Sequence, residues 1–244
     1  MQDIRFGGYT LQVLIVVVRR LRRAHIAPGR LFLMRTLLTG YGPFGAVAAN
    51  PSQSLVEWFD LTGAPGHALT CLSLPVSYTR AMAVLEAALT TGVDGHPYDA
   101  VLSLGVAAGE TAWRVERLAF NRTGRPDIDG YAPSTGLLEE AGPPELEATL
   151  PCEMLAQAIV AQGLPARISD SAGDYLCNAA LYRSLRYAAQ AGDSTRCGFI
   201  HIPSDVAGKT REDEPAFEFA DHVRAVEAAL EAIRSAMAAV GATA

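Results

Sequence analysis

Residues 99–105 read DAVLSLG, a nearly unbroken apolar run of strand length that closes on glycine. A run this short, bounded by turn residues, fits a strand buried on both faces, as strands of a parallel sheet are. Similar runs flank it: RTLLTG (Arg35 to Gly40) and LTCLSL (Leu69 to Leu74) before it, ARISD (Ala166 to Asp170) and CGFIHIP (Cys197 to Pro203) after it. Between them, apolar residues recur at helical spacing over 52–60, with Ser52 as cap, and over 79–91, 152–162, 177–190 and 216–240. WRVERLAF (Trp113 to Phe120) alternates like one strand, and residues 121–150 are polar, with Gly and Pro throughout. Strand and helix patterns alternate along the chain. This predicts a single three-layer α/β/α domain with a mostly parallel, mixed central sheet.

The 244 residues are 50% hydrophobic and 19% charged, which excludes a disordered chain and supplies one sizeable core. Four cysteines without CxxC or Cys/His ligand spacing argue against a zinc site or a disulfide scaffold, and for a reducing compartment. Residues 1–34 carry six arginines against one aspartate, while the remainder carries 14 basic and 25 acidic residues. An acidic body does not favour nucleic acid or an anionic membrane. The apolar run Leu11 to Val18 is too short to span a bilayer, and its arginines follow it, whereas those of a signal peptide precede it. Residues 1–34 therefore read as a disordered basic extension or as the product of a start placed upstream of Met34. An organelle transit peptide is the alternative, and the expected location is cytoplasmic.

Three residues stand out chemically. Cys177 lies where a small-residue loop (Ser171, Ala172, Gly173) enters a helix. A thiol there meets the positive end of the helix dipole, and the free N–H groups can hold an oxyanion. Its alternative is a small buried hydrophobe, the reading that Cys71, Cys152 and Cys197 receive. His201 lies near the end of a strand, where α/β folds place reactive groups, or is a satisfied structural histidine. Glu116 sits inside an alternating apolar strand. It either meets His201 and fixes its tautomer, or pairs on the solvent side with Arg114 or Arg117. Periodicity alone does not bring the three together.

TGYGPFG (Thr39 to Gly45) followed by Asn50-Pro51-Ser52 resembles the opening signature of the pyroglutamyl peptidase I family, the pyrrolidone-carboxylate peptidases. SDSAGDYLCN (Ser169 to Asn178) is similar to the family's cysteine motif, GFIHIP (Gly198 to Pro203) to its histidine motif, and WRVERLAFN (Trp113 to Asn121) to its glutamate segment. The likeness runs from Arg35 to the C-terminus in the family's order, so the peptidase domain is expected over residues 35–244. It departs at Glu110, where many bacterial relatives carry Arg, and in a shorter loop over 121–135.

The resemblance implies a cysteine exopeptidase that removes an N-terminal pyroglutamyl residue from peptides without metal or cofactor. Cys177 would be the nucleophile, His201 the general base and acid, and Glu116 the residue orienting His201. Tyr41 and Phe44 fall where the family packs aromatics on the lactam ring, and Arg125 and Asp127 resemble its Arg and Asp near the active site. A homo-oligomer is common in the family. Two alternatives stay open: an inactive relative that only binds small cyclic or peptide ligands, and a purine-phosphorylase-like enzyme on a similar fold. TGYGPFG lacks the lysine and glycine spacing of phosphate-binding loops.

Overall fold

The structure is a computed structural model and describes residues 33–44, 50–192, 194–209 and 211–241. Residues 1–32 of the basic extension, with the readings placed on them, lie outside the described residues.

Strand β1 (Met34–Tyr41) leads through α1 (Pro51–Thr62) to β2 (His67–Leu74), then through α2 (Tyr78–Thr91) to β3 (Ala100–Val106). Strands β4 (Trp113–Glu116), β5 (Leu118–Phe120) and β6 (Glu145–Glu147) follow, then α3 (Cys152–Ala161), β7 (Ala166–Ser169) and α4 (Leu176–Ala191). The chain ends with β8 (Arg196–Ile202), two short strands β9 (Ser204–Asp205) and β10 (Ala216–Phe217), and α5 (Phe219–Gly241). The central sheet has the order β2-β1-β3-β8-β4-β7. Its first four strands are parallel, and β4 and β7 run the opposite way. The sheet is mixed and mostly parallel, as expected.

Alternation within the strands sorts the core into two layers. Leu37, Val101, Cys197 and Phe199 face α2 and α4, whereas Leu38, Leu102, Leu104, Trp113, Val115, Ile200 and Ile202 face α1, α3 and α5. The DAVLSLG run is apolar throughout because both of its faces are covered. Period two then puts Gly105, Arg114, Glu116 and His201 on the α4 side of the sheet, near the carboxyl ends of β3, β4 and β8.

Three local expectations need correction. The cap of α1 is Asn50, whose Oδ1 accepts from the Ser52 N–H at 3.1 Å, and Pro51 takes the first helical position, where a missing N–H costs nothing. The alternating stretch 113–120 is two strands in different sheets. At Arg117 the backbone N–H donates to the Ser169 carbonyl at 2.7 Å, and β5 then pairs with β6. The last helix begins at Phe219, because Ala216 and Phe217 pair with β9.

The irregular stretch after β5 is held by the buried Asn121 and by a half-buried ion pair. Asn121 Oδ1 accepts from the backbone of Leu138 and Glu139, both at 2.9 Å, and Glu139 pairs with Arg186 of α4 at 2.6 Å. Among the described residues, no helix is long and apolar enough to cross a membrane.

Candidate active site

Helix α4 starts at the carboxyl edge of the sheet. Tyr175 provides no side-chain cap, so the N–H groups of the first turn are left for other partners. The Tyr41 hydroxyl donates to the Leu176 carbonyl at 2.6 Å and ties the helix start to β1. Asn178 fastens the same turn to β5: its Oδ1 accepts from the Phe120 N–H and its Nδ2 donates to the Phe120 carbonyl, both at 2.8 Å. Cys177 lies between these two anchors, at the second helical position.

Beneath it lies Gly105. A β-carbon there would sit 2.7 Å from Cys177 Sγ and 2.9 Å from Phe199 Cζ, closer than real contacts come. Glycine at this position lets the thiol descend onto β3. The parallel register pairs Gly105 with His201 on β8, so the thiol and the imidazole meet over neighbouring strands.

His201 lies opposite Arg114 in the antiparallel β4–β8 pair, and Glu116 lies opposite Phe199. Glu116 thus reaches His201 along a diagonal of the pair, on the same face. Its Oε1 is 2.7 Å from His201 Nδ1, and Glu116 is fully buried. This leaves Nε2 of His201 free to face the thiol. Burial disfavours the imidazolium, but the Cys177 sulfur and the Glu116 carboxylate outweigh it and pull the His201 pKa up to about 9. In contrast, burial pushes the Cys71 thiol up to about 12 and the Cys152 thiol to about 11.

Arg114 is half of what sequence reasoning offered as the alternative for Glu116, and here it binds the same carboxylate. Its Nε donates to Glu116 Oε1 at 3.0 Å, while Arg117 turns away to Asp170 at 2.6 Å. The pairing with Arg114 is therefore present, but the solvent-side placement is not: Glu116 is fully buried, and the same carboxylate holds both His201 and Arg114.

A narrow, mainly apolar cleft opens beside Cys177, lined by Tyr41, Phe44, Val76, Val106 and Tyr175 among others. Arg125 and Asp127 are not among its lining residues. The Arg125 guanidinium lies over the Tyr175 ring at 4.3 Å, and the Asp127 carboxylate accepts from the backbone of Tyr78, Asp129 and Tyr131 at 2.7 to 3.0 Å. Asp127 is buried, which alone would raise its pKa, but these three donors outweigh burial and hold it low. Arg125 thus touches the cleft through Tyr175, whereas the backbone donors to Asp127 lie outside its lining.

Sequence reasoning passed over Gly105 and Tyr175. Gly105 reads as the end of a strand, although β3 continues to Val106. Tyr175 stands two residues before Cys177, and nothing local shows that it would line a cleft. Among the described residues, no group of three or more His, Cys, Asp or Glu side chains is gathered for a metal ion.

A thiol on a helix N-terminus and an imidazole braced by a carboxylate, set on a three-layer α/β scaffold, are the chemistry of a cysteine hydrolase. A family model described as pyroglutamyl peptidase matches residues 34–236. The chain belongs to the pyroglutamyl peptidase family, whose members are cysteine hydrolases. It is 33% identical over 205 residues to a pyrrolidone-carboxylate peptidase of Streptococcus suis, covering 82% of this chain and 92% of that protein. A pyrrolidone-carboxylate peptidase of Staphylococcus aureus is 34% identical over 206 residues, with 82% and 93% covered. Among solved structures, the pyrrolidone carboxyl peptidase of Thermococcus litoralis superposes with a TM-score of 0.78 at 30% identity, over 84% of this chain and 95% of that one. The pyroglutamyl peptidase I of Bacillus amyloliquefaciens gives 0.76 at 26% identity, over 82% and 95%.

Proposed function

We propose that this chain hydrolyses the amide bond that follows an N-terminal pyroglutamyl residue in peptides, with Cys177, His201 and Glu116 as its triad. The observation that carries the reading is the 2.7 Å contact between His201 Nδ1 and Glu116 Oε1. It fixes the imidazole so that its other nitrogen serves the thiol at the start of α4. The imidazolium favoured there is the partner that a thiolate nucleophile needs.

Cys177 Sγ attacks the pyroglutamyl carbonyl, and backbone N–H groups of the first turn of α4 receive the oxyanion. His201 Nε2 then gives its proton to the leaving amine, leaving a thioester on Cys177. A water enters, His201 takes its proton, and hydroxide attack on the thioester releases pyroglutamate and the free thiol. Glu116 accepts from Nδ1 throughout and remains a carboxylate.

The cleft suits the substrate. Pyroglutamate is a small uncharged lactam with flat faces, and Tyr41, Phe44 and Tyr175 offer aromatic surface beside the thiol. An N-terminal Glu or Gln would bring an ammonium against apolar walls, at a cost of several kcal/mol even after relaxation. We assign the peptidase unit to residues 35–244, with peptides rather than nucleic acid as partners and the cytoplasm as its setting.

The test is hydrolysis of a pyroglutamyl-linked fluorogenic amide, with and without iodoacetamide. Thiol-sensitive release of the fluorophore, with glutaminyl and prolyl amides left intact, is expected. A folded protein that releases nothing would overturn the peptidase reading in favour of the ligand-binding alternative, and equal cleavage of prolyl amides would rule out a lactam site.

A further inference from the structure

The buried carboxylate oxygen that receives His201 has a second, permanently charged partner. Glu116 Oε1 accepts from His201 Nδ1 at 2.7 Å and from Arg114 Nε at 3.0 Å, and Arg114 Nη2 lies 2.9 Å from it. Arg114 is itself held on two further sides. Its Nη1 donates to Glu110 Oε1 at 2.9 Å, and its Nη2 donates to the Ser171 carbonyl at 2.8 Å. The other oxygen of Glu110 accepts from Arg167 of β7 at 3.0 Å. Alternating charges thus run Arg167, Glu110, Arg114, Glu116, His201 from the sheet edge to the reacting face.

We propose that Arg114 is a positioning residue for the peptidase reaction, clamping the Glu116 carboxylate toward His201 and joining it to the loop that leads into Cys177. The inference rests on the triad reading given above. Its physical basis is the alternation of charge on His201 during turnover. When His201 has given up its proton, a fully buried carboxylate would have no opposite charge beside it, a costly state in a dry environment. The guanidinium keeps its proton under all working conditions and supplies that charge in both halves of the cycle. Desolvation works against the Arg114 cation, but Glu116 and Glu110 outweigh it and hold its pKa above the usual value.

The contact with Ser171 adds a geometric role. Ser171 belongs to the small-residue loop between β7 and α4, so Arg114 connects the strand that carries Glu116 with the segment that positions Cys177. A fork-shaped donor is needed, since one side chain must reach two carboxylates and a carbonyl at once.

The experiment uses the full chain as wild type, Arg114→Gln, Arg114→Lys and Glu110→Gln. It reads kcat and KM on the pyroglutamyl amide, the thermal midpoint, and the titration of His201 by NMR of histidine-labelled protein. The charged or titratable groups facing His201 are Cys177 from α4 and Glu116 and Arg114 from β4, whereas the adjoining residues on its own strand and β3, Phe199 and Gly105, carry no charge. Removing a nearby cation favours every protonated form, so Arg114→Gln should raise the His201 midpoint by about one unit. It should lower kcat by about ten- to a hundredfold, as misplacement near 1 Å does, with KM held within about twofold.

Arg114→Lys should return the midpoint toward wild type while recovering only part of kcat, because an ammonium lacks the fork. Glu110→Gln removes a negative charge and should move the midpoint downward, opposite to Arg114→Gln. If Arg114→Gln does not fold, Arg114→Lys and Glu110→Gln decide the matter by those signs. A folded Arg114→Gln with wild-type kcat and an unmoved His201 midpoint overturns the proposal, as does a fall in thermal midpoint alone. Wild-type protein without pyroglutamyl hydrolysis would defeat the substrate reading and leave the NMR result to judge the clamp.

Discussion

Gly105→Ala is the smallest change that should disable this site while sparing the fold. The added methyl would come to 2.7 Å from Cys177 Sγ, 2.9 Å from Phe199 Cζ and 3.3 Å from Phe199 Cε1. Carbon contacts settle at about 3.5–4.0 Å, so the overlap with the sulfur is close to 1 Å. Phe199 is fully buried in the sheet core and has little room to withdraw. Cys177 is only partly buried, on the first turn of α4, so the thiol is the group that yields. Overpacking of this kind costs about 1–3 kcal/mol, which for a domain of this size lowers the thermal midpoint by roughly 2–10 °C. Moving the nucleophile by about 1 Å away from His201 should lower kcat by about a hundredfold.

Two neighbouring glycines supply controls. A β-carbon at Gly42 would meet nothing closer than Gln53 Oε1 at 3.7 Å, so Gly42→Ala should keep its activity. At Gly40 it would meet the Ser52 carbonyl oxygen at 2.3 Å, a backbone clash that should unfold the region instead of acting on catalysis alone. The assay is kcat on the pyroglutamyl amide beside a thermal melt, repeated for Gly105→Ala in a Cys177→Ala background. Without the sulfur the stability cost should shrink, because one of the two short contacts is gone. Gly105→Ala with kcat within about threefold of wild type would refute the argument that glycine is there to seat the thiol.

The remaining predictions concern the thiols and the titrating histidines. Peptide mapping after brief iodoacetamide treatment should find Cys177 labelled before Cys71 and Cys152, whose burial pushes them up to about 12 and 11, and before the buried Cys197. Cys177→Ala should be folded and inactive, and inactivation that tracks Cys71 instead would remove Cys177 from the mechanism. His201→Ala should lower kcat about as much as Cys177→Ala, and Glu116→Gln by less but still by orders of magnitude, as with other orienting carboxylates. Near-normal kcat in Glu116→Gln would reduce the carboxylate to a packing role.

Burial against Trp113 and Phe217 pushes His222 down to about 4, so the unfolded chain takes up its proton first as pH falls. Its contribution to stability is complete above its unfolded value of about 6.5 and is lost as pH falls toward about 4. His201, raised to about 9, acts in the opposite direction: its contribution is complete below about 6.5 and is lost as pH rises through about 9. Urea unfolding at several pH values should show His222→Gln flattening the acid side and His201→Gln the alkaline side, and unchanged slopes would contradict both assignments.

What was legible in the sequence follows from how local each signal is. Asp99–Gly105 announces a doubly covered strand because an apolar run of that length has only a few ways to hide. The same rule misleads at 113–120, where alternation persists across Arg117 although the chain changes sheets there. Alternation reports which side of a strand faces apolar surroundings and is silent about which sheet supplies them. The chemistry of Cys177, Glu116 and His201 was readable from residue type, but their meeting depends on β4 running antiparallel beside β8, with β3 on the other side. No local pattern encodes that order, and only the resemblance to a family brought the three together beforehand. Gly105, and the wider contacts of Arg114, were hidden for a related reason. Gly105 looks like an ordinary strand end and meets Cys177 more than 50 residues away. Arg114 was legible as a partner of Glu116, but its contact with Ser171 and its place beside His201 were not. Residues that react advertise themselves by type, whereas residues that make room for them or hold them in place are defined by the pairing of distant strands, and it is at these that the structure adds most.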